Sequence, residues 1–147
     1  MPDDLQQEMA AAAESAVQHA RKYWTTELDY SPGSIEDVEL ILARMYESIP
    51  RRFIDRFFKK KPSDEQMAQI AISYGAYVGE VLRKEFGGTW TKQNIMDQQD
   101  VLALNFGKGN TVFPPGKVWK RLQNGEEDNV YAFYQLARKR QNEQSGA

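Results

Sequence analysis

Cysteine is absent from the 147 residues. Its absence excludes disulfides, thiolate chemistry and cysteine-ligated zinc, and fits a cytoplasmic chain. Histidine occurs once, as His19, on an alanine-rich stretch with no serine or cysteine nucleophile placed beside it. Zinc would then need carboxylates for nearly all its ligands, which is not its usual choice. Long apolar runs are missing as well. None approaches the roughly 18 residues of a membrane span, and the opening MPDDLQQEM lacks the basic-then-apolar order of a secretory signal. No internal repeat, low-complexity tract or long linker divides the chain. One domain over residues 1–147 is expected, with a frayed tail at about 141–147.

What is present is a globular composition, 41% apolar and 12% aromatic, enough to build a packed core. The net charge of −2 hides a division: residues 1–40 hold nine acids against Arg21 and Lys22, giving −7, and the remainder sums to +5. Such segregation predicts an acidic and a basic face, with steering of a charged partner.

Apolar residues from Leu5 to Trp24 recur at three- and four-residue steps, predicting a first helix over about 4–25 with a thin alanine stripe. Pro32 and Gly33 interrupt, and Ser34 followed by Asp37 resembles a capping box opening a second helix to about Ser48. RRFIDRFFKK reads as a short helix with Phe53, Ile54, Phe57 and Phe58 inward. Ser63 and Gln66 form a further capping pattern for a long third helix, about 64–86.

That helix contains YGAYVGEV, and its glycines need a reason, because each costs about 1 kcal/mol relative to alanine. Ala68, Ala71, Gly75 and Gly79 stack on one side, which predicts close approach of another backbone, such as the alanine face of the first helix. Gly87-Gly88 ends the helix. TWT, VLALNF and TVF then read as short strands separated by KQNIMDQQD and by the turn GKGN. Pro114-Pro115 opens a short helix closed by Asn124-Gly125, and a last helix spans about 129–140. The expected fold is α+β, mostly helical, with a small two- or three-stranded antiparallel sheet packed on the long central helix.

Three groups of residues bear on function. Glu80 reads either as an exposed partner of Lys84 at i,i+4 or as a carboxylate at the rim of a pocket with Tyr74, Tyr77 and Trp90. Arg51, Arg52, Arg56, Lys59, Lys60 and Lys61, joined by Lys120 and Arg121, read either as solvated helix faces or as a phosphate-binding surface. Asp97 and Asp100, and the run Glu126, Glu127 and Asp128, suit helix or turn ends and need no metal. GKGNT lacks the spacing of a phosphate loop, and no dinucleotide fingerprint or nucleophile elbow occurs. No cofactor, metal site or catalytic residue is indicated.

LDYSPGSIEDVELIL, YGAYVGEVLRKEFGGTW and VFPPGKVWKRLQNGEED together resemble a class of uncharacterised bacterial domains, over about residues 28–134. The resemblance implies no activity and carries no functional residues across. It does single out Gly79-Glu80, Trp90, Lys120-Arg121 and Asn124-Gly125 as one cluster to inspect. The expectation is a non-enzymatic, cytoplasmic protein-binding module, in a specific version an immunity-type protein that masks a partner. The alternatives are nucleic-acid binding through residues 51–61, or a small-ligand or enzymatic pocket around Glu80 and Trp90.

Overall fold

The computed structural model describes residues 2–49 and 63–145. The expected short helix and the cations Arg51, Arg52, Arg56, Lys59, Lys60 and Lys61 lie outside those residues. Among the described residues the order is α1 (Pro2–Trp24), α2 (Ser34–Ser48), α3 (Asp64–Phe86), β1 (Thr89–Ile95), β2 (Gln98–Asn105), β3 (Thr111–Val112), α4 (Pro114–Asn124) and α5 (Val130–Ser145). A single 3-10 turn, Glu126–Asp128, joins the last two helices. The fold is α+β, mostly helical with one small antiparallel sheet of strand order β1-β2-β3.

α3 is the central element. It starts on the capping box expected there: the Ser63 hydroxyl accepts from the Gln66 N–H at 3.1 Å, and Gln66 returns the bond to the Ser63 N–H at 2.9 Å. Every residue from Tyr74 to Gly79 is buried, because α1 lies along one side of the helix and α4 along another. Ala13, Ala16 and Ala20 are fully buried on α1, which brings the two backbones together.

The two mid-helix glycines serve other neighbours than α1. A methyl group at Gly75 would overlap the backbone of Pro114 and Pro115 at the start of α4. One at Gly79 would overlap the Trp90 ring. The expected close approach is real, but its occupants are a diproline and an indole. Ala76 is 0% exposed as well, because α3 is enclosed on more sides than one stripe can indicate.

β1 and β2 pair with Trp90 opposite Leu104 and Thr91 opposite Ala103. KQNIMDQQD, expected to separate strands, instead supplies the end of this hairpin, with Ile95 opposite Gln98 and Met96-Asp97 as the turn. Its polar side chains sit at the exposed tip, so no apolar alternation marks the pairing. GKGN does form the second turn: Phe106 N–H donates to the Asn110 carbonyl at 2.9 Å, and Gly107 and Gly109 take φ of 87° and 75°.

Two helix ends differ from expectation. Ser34 does not cap α2. Gly33 precedes that helix without a side-chain cap, and the Ser34 hydroxyl turns inward. α5 continues past Arg140 to Ser145, with Gln141 buried.

These contacts make a graded prediction for three glycine-to-alanine variants followed by urea denaturation. Gly75→Ala and Gly79→Ala should each lose about 1–3 kcal/mol or more, the cost of overpacking a filled interior. Gly33 has φ −64° and only the Ser31 hydroxyl at 4.0 Å from a built Cβ, so Gly33→Ala should be neutral or gain about 0.4–1 kcal/mol.

Candidate functional site

The four residues expected to rim a pocket are packed instead. Tyr74 and Tyr77 are 0% exposed and Trp90 1%. None of them, nor Glu80, lines any of the main surface cavities. The Trp90 ring occupies the space that Gly79 leaves, and its indole N–H donates to Glu80 Oε2 at 2.9 Å. Glu80 also receives Arg83 at 2.9 Å, while Arg83 Nε donates to the Gly88 carbonyl at 3.1 Å. The expected partner, Lys84, lies over the Tyr30 ring at 4.3 Å. From α1, Gln6 accepts from the Trp90 N–H and donates to its carbonyl, both at 2.9 Å. Glu80 and Trp90 therefore form a clamp between helix and sheet, with no room for a ligand.

Tyr77 belongs to a directed chain of hydrogen bonds. Ser34 donates to the Ser31 carbonyl at 2.6 Å, so the Tyr77 hydroxyl must donate to Ser34, also at 2.6 Å, and accept from the Tyr30 N–H at 2.7 Å. Burial pushes the Tyr77 phenol above its ordinary value, keeping that donor in place. Tyr74 meets His19 Nδ1 at 2.8 Å across α1 and α3. Burial lowers the His19 pKa below its usual 6.5, so the ring is neutral at pH 7.

Arg121 leaves the proposed basic surface altogether. Its side chain is 2% exposed and donates from Nε and Nη2 to the Glu39 carboxylate at 2.9–3.0 Å. Glu39 accepts in addition from the Val130 N–H at 2.8 Å, at the first residue of α5. The guanidinium lies 5.6 Å from the Tyr46 ring centroid, and that ring packs against Gly125. The single cluster suggested by the sequence is thus two: Gly79, Glu80 and Trp90 in one, Arg121 and Gly125 in the other. Glu39 and Gln6, which complete them, carry no local signal in the sequence. Each is a polar residue on an amphipathic helix whose partner lies more than 80 positions away.

Of the cations named for the basic surface, Lys120 alone is both described and exposed. It lines a groove of about 400 Å³ between the sheet, α4 and α5. Ile95, Val101, Phe113 and Phe133 give this groove an apolar wall, and Lys117, Lys120 and Arg140 make it cationic. Lys117 is held by Asp128 at 2.9 Å, and that bond, with one from Asn124, holds the Asp128 carboxyl below the usual carboxylate range. Neither Lys120 nor Arg140 has an ion-pair partner among the described residues. The groove also borders an incomplete sheet edge. β3 pairs with β2 only at Leu104 and Asn105, so among the described residues β2 has a strand on one side only from Gln98 to Ala103.

A family model described as a domain of unknown function (DUF3806) matches residues 51–134, more than half of the chain. The chain belongs to this family. Within DUF3806 as matched here lie all of α3, the sheet and α4, together with Trp90, Arg121 and the groove's Lys120. α1 and α2, which supply Gln6 and Glu39, precede the matched segment. No curated protein and no solved structure matches the chain.

Two measurements check these assignments. Arg121→Met alone should destabilise by about 3–5 kcal/mol, because Glu39 is left charged and buried. Pairing it with Glu39→Gln, which keeps an acceptor for the Val130 N–H, should recover much of that loss. For His19 the folded pKa lies below the unfolded one. Its contribution is therefore complete above about pH 6.5 and is lost as pH falls below that value. The urea midpoint of the wild type should drop between pH 7 and 5.5, and His19→Gln, which removes the only histidine, should flatten that slope.

Proposed function

We propose that this chain is a cytoplasmic protein-binding module whose groove between β2, α4 and α5 receives an acidic, extended segment of a partner. The observation that carries the reading is the incomplete sheet: among the described residues β2 offers Gln98 to Leu102 with a strand on one side only, beside an apolar wall and the cations Lys120 and Arg140, which have no ion-pair partner among those residues. An extended peptide added at such an edge gains main-chain hydrogen bonds from the strand and selectivity from alternate side chains. Here Phe113 and Phe133 suit its apolar positions, and Lys120 and Arg140 its carboxylates. The absence of cysteine fits a reducing compartment.

The nucleic-acid reading loses one of its named cations, because Arg121 is committed to Glu39.

Selection from a displayed library of unstructured peptides tests the reading. Enriched peptides should carry alternating apolar and acidic residues, and should bind more weakly as salt rises. Lys120→Glu combined with Arg140→Glu should weaken binding at least tenfold, whereas Lys139→Glu, outside the groove, should change it little. Bound peptide should also shift the backbone amides of residues 98–102. Enrichment without acidic residues, or affinity indifferent to the double variant, would exclude the groove as the binding site. Retention of a mixed-sequence oligonucleotide in place of peptide would favour the nucleic-acid reading.

A further inference from the structure

The two ends of the groove beside β2 differ. One lies at the hairpin tip, where Met96 is 99% exposed and residues 97–100 are exposed with it. The other is closed by the chain itself. β3 holds the edge of β2 opposite Leu104 and Asn105. Phe113 then turns the chain into α4, its carbonyl accepting from the Lys117 N–H at 3.0 Å. Val112, Phe113, Gly116 and Lys117 line the groove at this end. A strand added along β2 from the tip therefore runs out of edge at Leu102, against the end of β3.

Leu102 is the point of attachment on that edge. Trp90 directs both its N–H and its carbonyl to Gln6, away from β2. Peptide groups alternate in direction along an antiparallel pair. Leu104, opposite Trp90, therefore points toward β3, and Leu102 points the same way with no strand there among the described residues. Nearer the tip the alternation breaks, because Asp100 takes φ of 57° and donates its N–H to the Asn94 side chain. The main-chain bonds open to a partner thus concentrate beside the closed end.

The free cations gather there as well. Lys120 stands one helical turn beyond Lys117 on α4. Arg140 stands one turn before Gln144 on α5, and Gln144 accepts from the side chain of Asn110 at 3.4 Å, next to the first residue of β3. Lys117 is already answered by Asp128, whereas Lys120 and Arg140 have no ion-pair partner among the described residues. Of the two ends a peptide can bring to this place, these cations attract the carboxylate and repel the ammonium. A carboxylate here requires the segment to run parallel to β2. We infer that the groove captures the C-terminal end of its partner, laid parallel to β2 with the terminal carboxylate toward Lys120 and Arg140, an inference that rests on the groove being a peptide site.

The test presents the full chain with two displayed libraries of the same random peptides. In one the random residues end in a free carboxylate, and in the other a linker continues from them. Enrichment should come from the free-carboxylate library alone. A selected peptide made as the acid should bind about tenfold or more tightly than its C-terminal amide, the size of one charge-assisted contact. Lys120→Gln combined with Arg140→Gln should bring that ratio close to one, and an N-terminal extension of the peptide should change affinity little. A nitroxide on the peptide N-terminus should broaden the amides of residues 96–99 more than those of Val112, Phe113 and Gly116. Equal enrichment from both libraries overturns the C-terminal assignment and leaves the groove a peptide site. So do equal affinities of acid and amide, a ratio unchanged in the double variant, or the reverse broadening pattern. Enrichment from neither library overturns the peptide reading and the C-terminal assignment together.

Discussion

The seat of the Trp90 indole on Gly79 is the contact on which the arrangement of helix and sheet depends. A three-stranded sheet with one two-residue strand has little stability of its own. It gains its place by burying a large aromatic ring against a helix that has given up a side chain to admit it. The cost of glycine in a helix interior, about 1 kcal/mol, is offset by the burial of an aromatic side chain, worth roughly 1.5–3 kcal/mol. Glu80 and Gln6 then fix the orientation of that ring and of its backbone through three hydrogen bonds of 2.9 Å. Shape sets the position and polar geometry sets the angle.

The Glu39–Arg121 pair does comparable work at the other end of α4. An ion pair taken out of water adds little net stability compared with an apolar pair of the same volume. Its geometry is demanding, however, and it brings three helices to one point: α2 through Glu39, α4 through Arg121 and α5 through the Val130 N–H. An apolar contact would tolerate sliding between those helices, whereas a carboxylate shared by a guanidinium and a backbone N–H does not.

Much of this was legible in the sequence, and what escaped did so for definable reasons. Helix positions, the Ser63–Gln66 capping box, the GKGN turn and the α+β class follow from periodicity and local turn chemistry, which act over a few residues. That the glycines of α3 mark close packing was also readable. Their partners were not, because nothing local distinguishes the alanines of α1 from Pro115 or Trp90 as the neighbour. Arg121 looked like one more cation beside Lys120, since a buried arginine differs from an exposed one only through a carboxylate supplied from far along the chain. Tyr74, Tyr77, Glu80 and Trp90 were expected to rim a pocket. Their polar groups are satisfied by Ser34, His19 and Arg83, however, so the space expected between them is filled. The groove at Lys120 and Arg140 escaped because its wall is assembled from five separate segments, each unremarkable alone.

The segment matched by the family begins after α2, yet two of its buried polar groups are completed from before that point. Trp90 takes both of its backbone bonds from Gln6, and Arg121 takes its carboxylate from Glu39. During synthesis the order is fortunate. The first two helices emerge with Gln6 and Glu39 still hydrated, and these wait in solvent until the tryptophan and the arginine arrive. The matched segment made alone would face the opposite situation, with the Arg121 guanidinium entering the interior and no Glu39 carboxylate following. It thus depends on α1 and α2 for the partners of two of its buried polar groups.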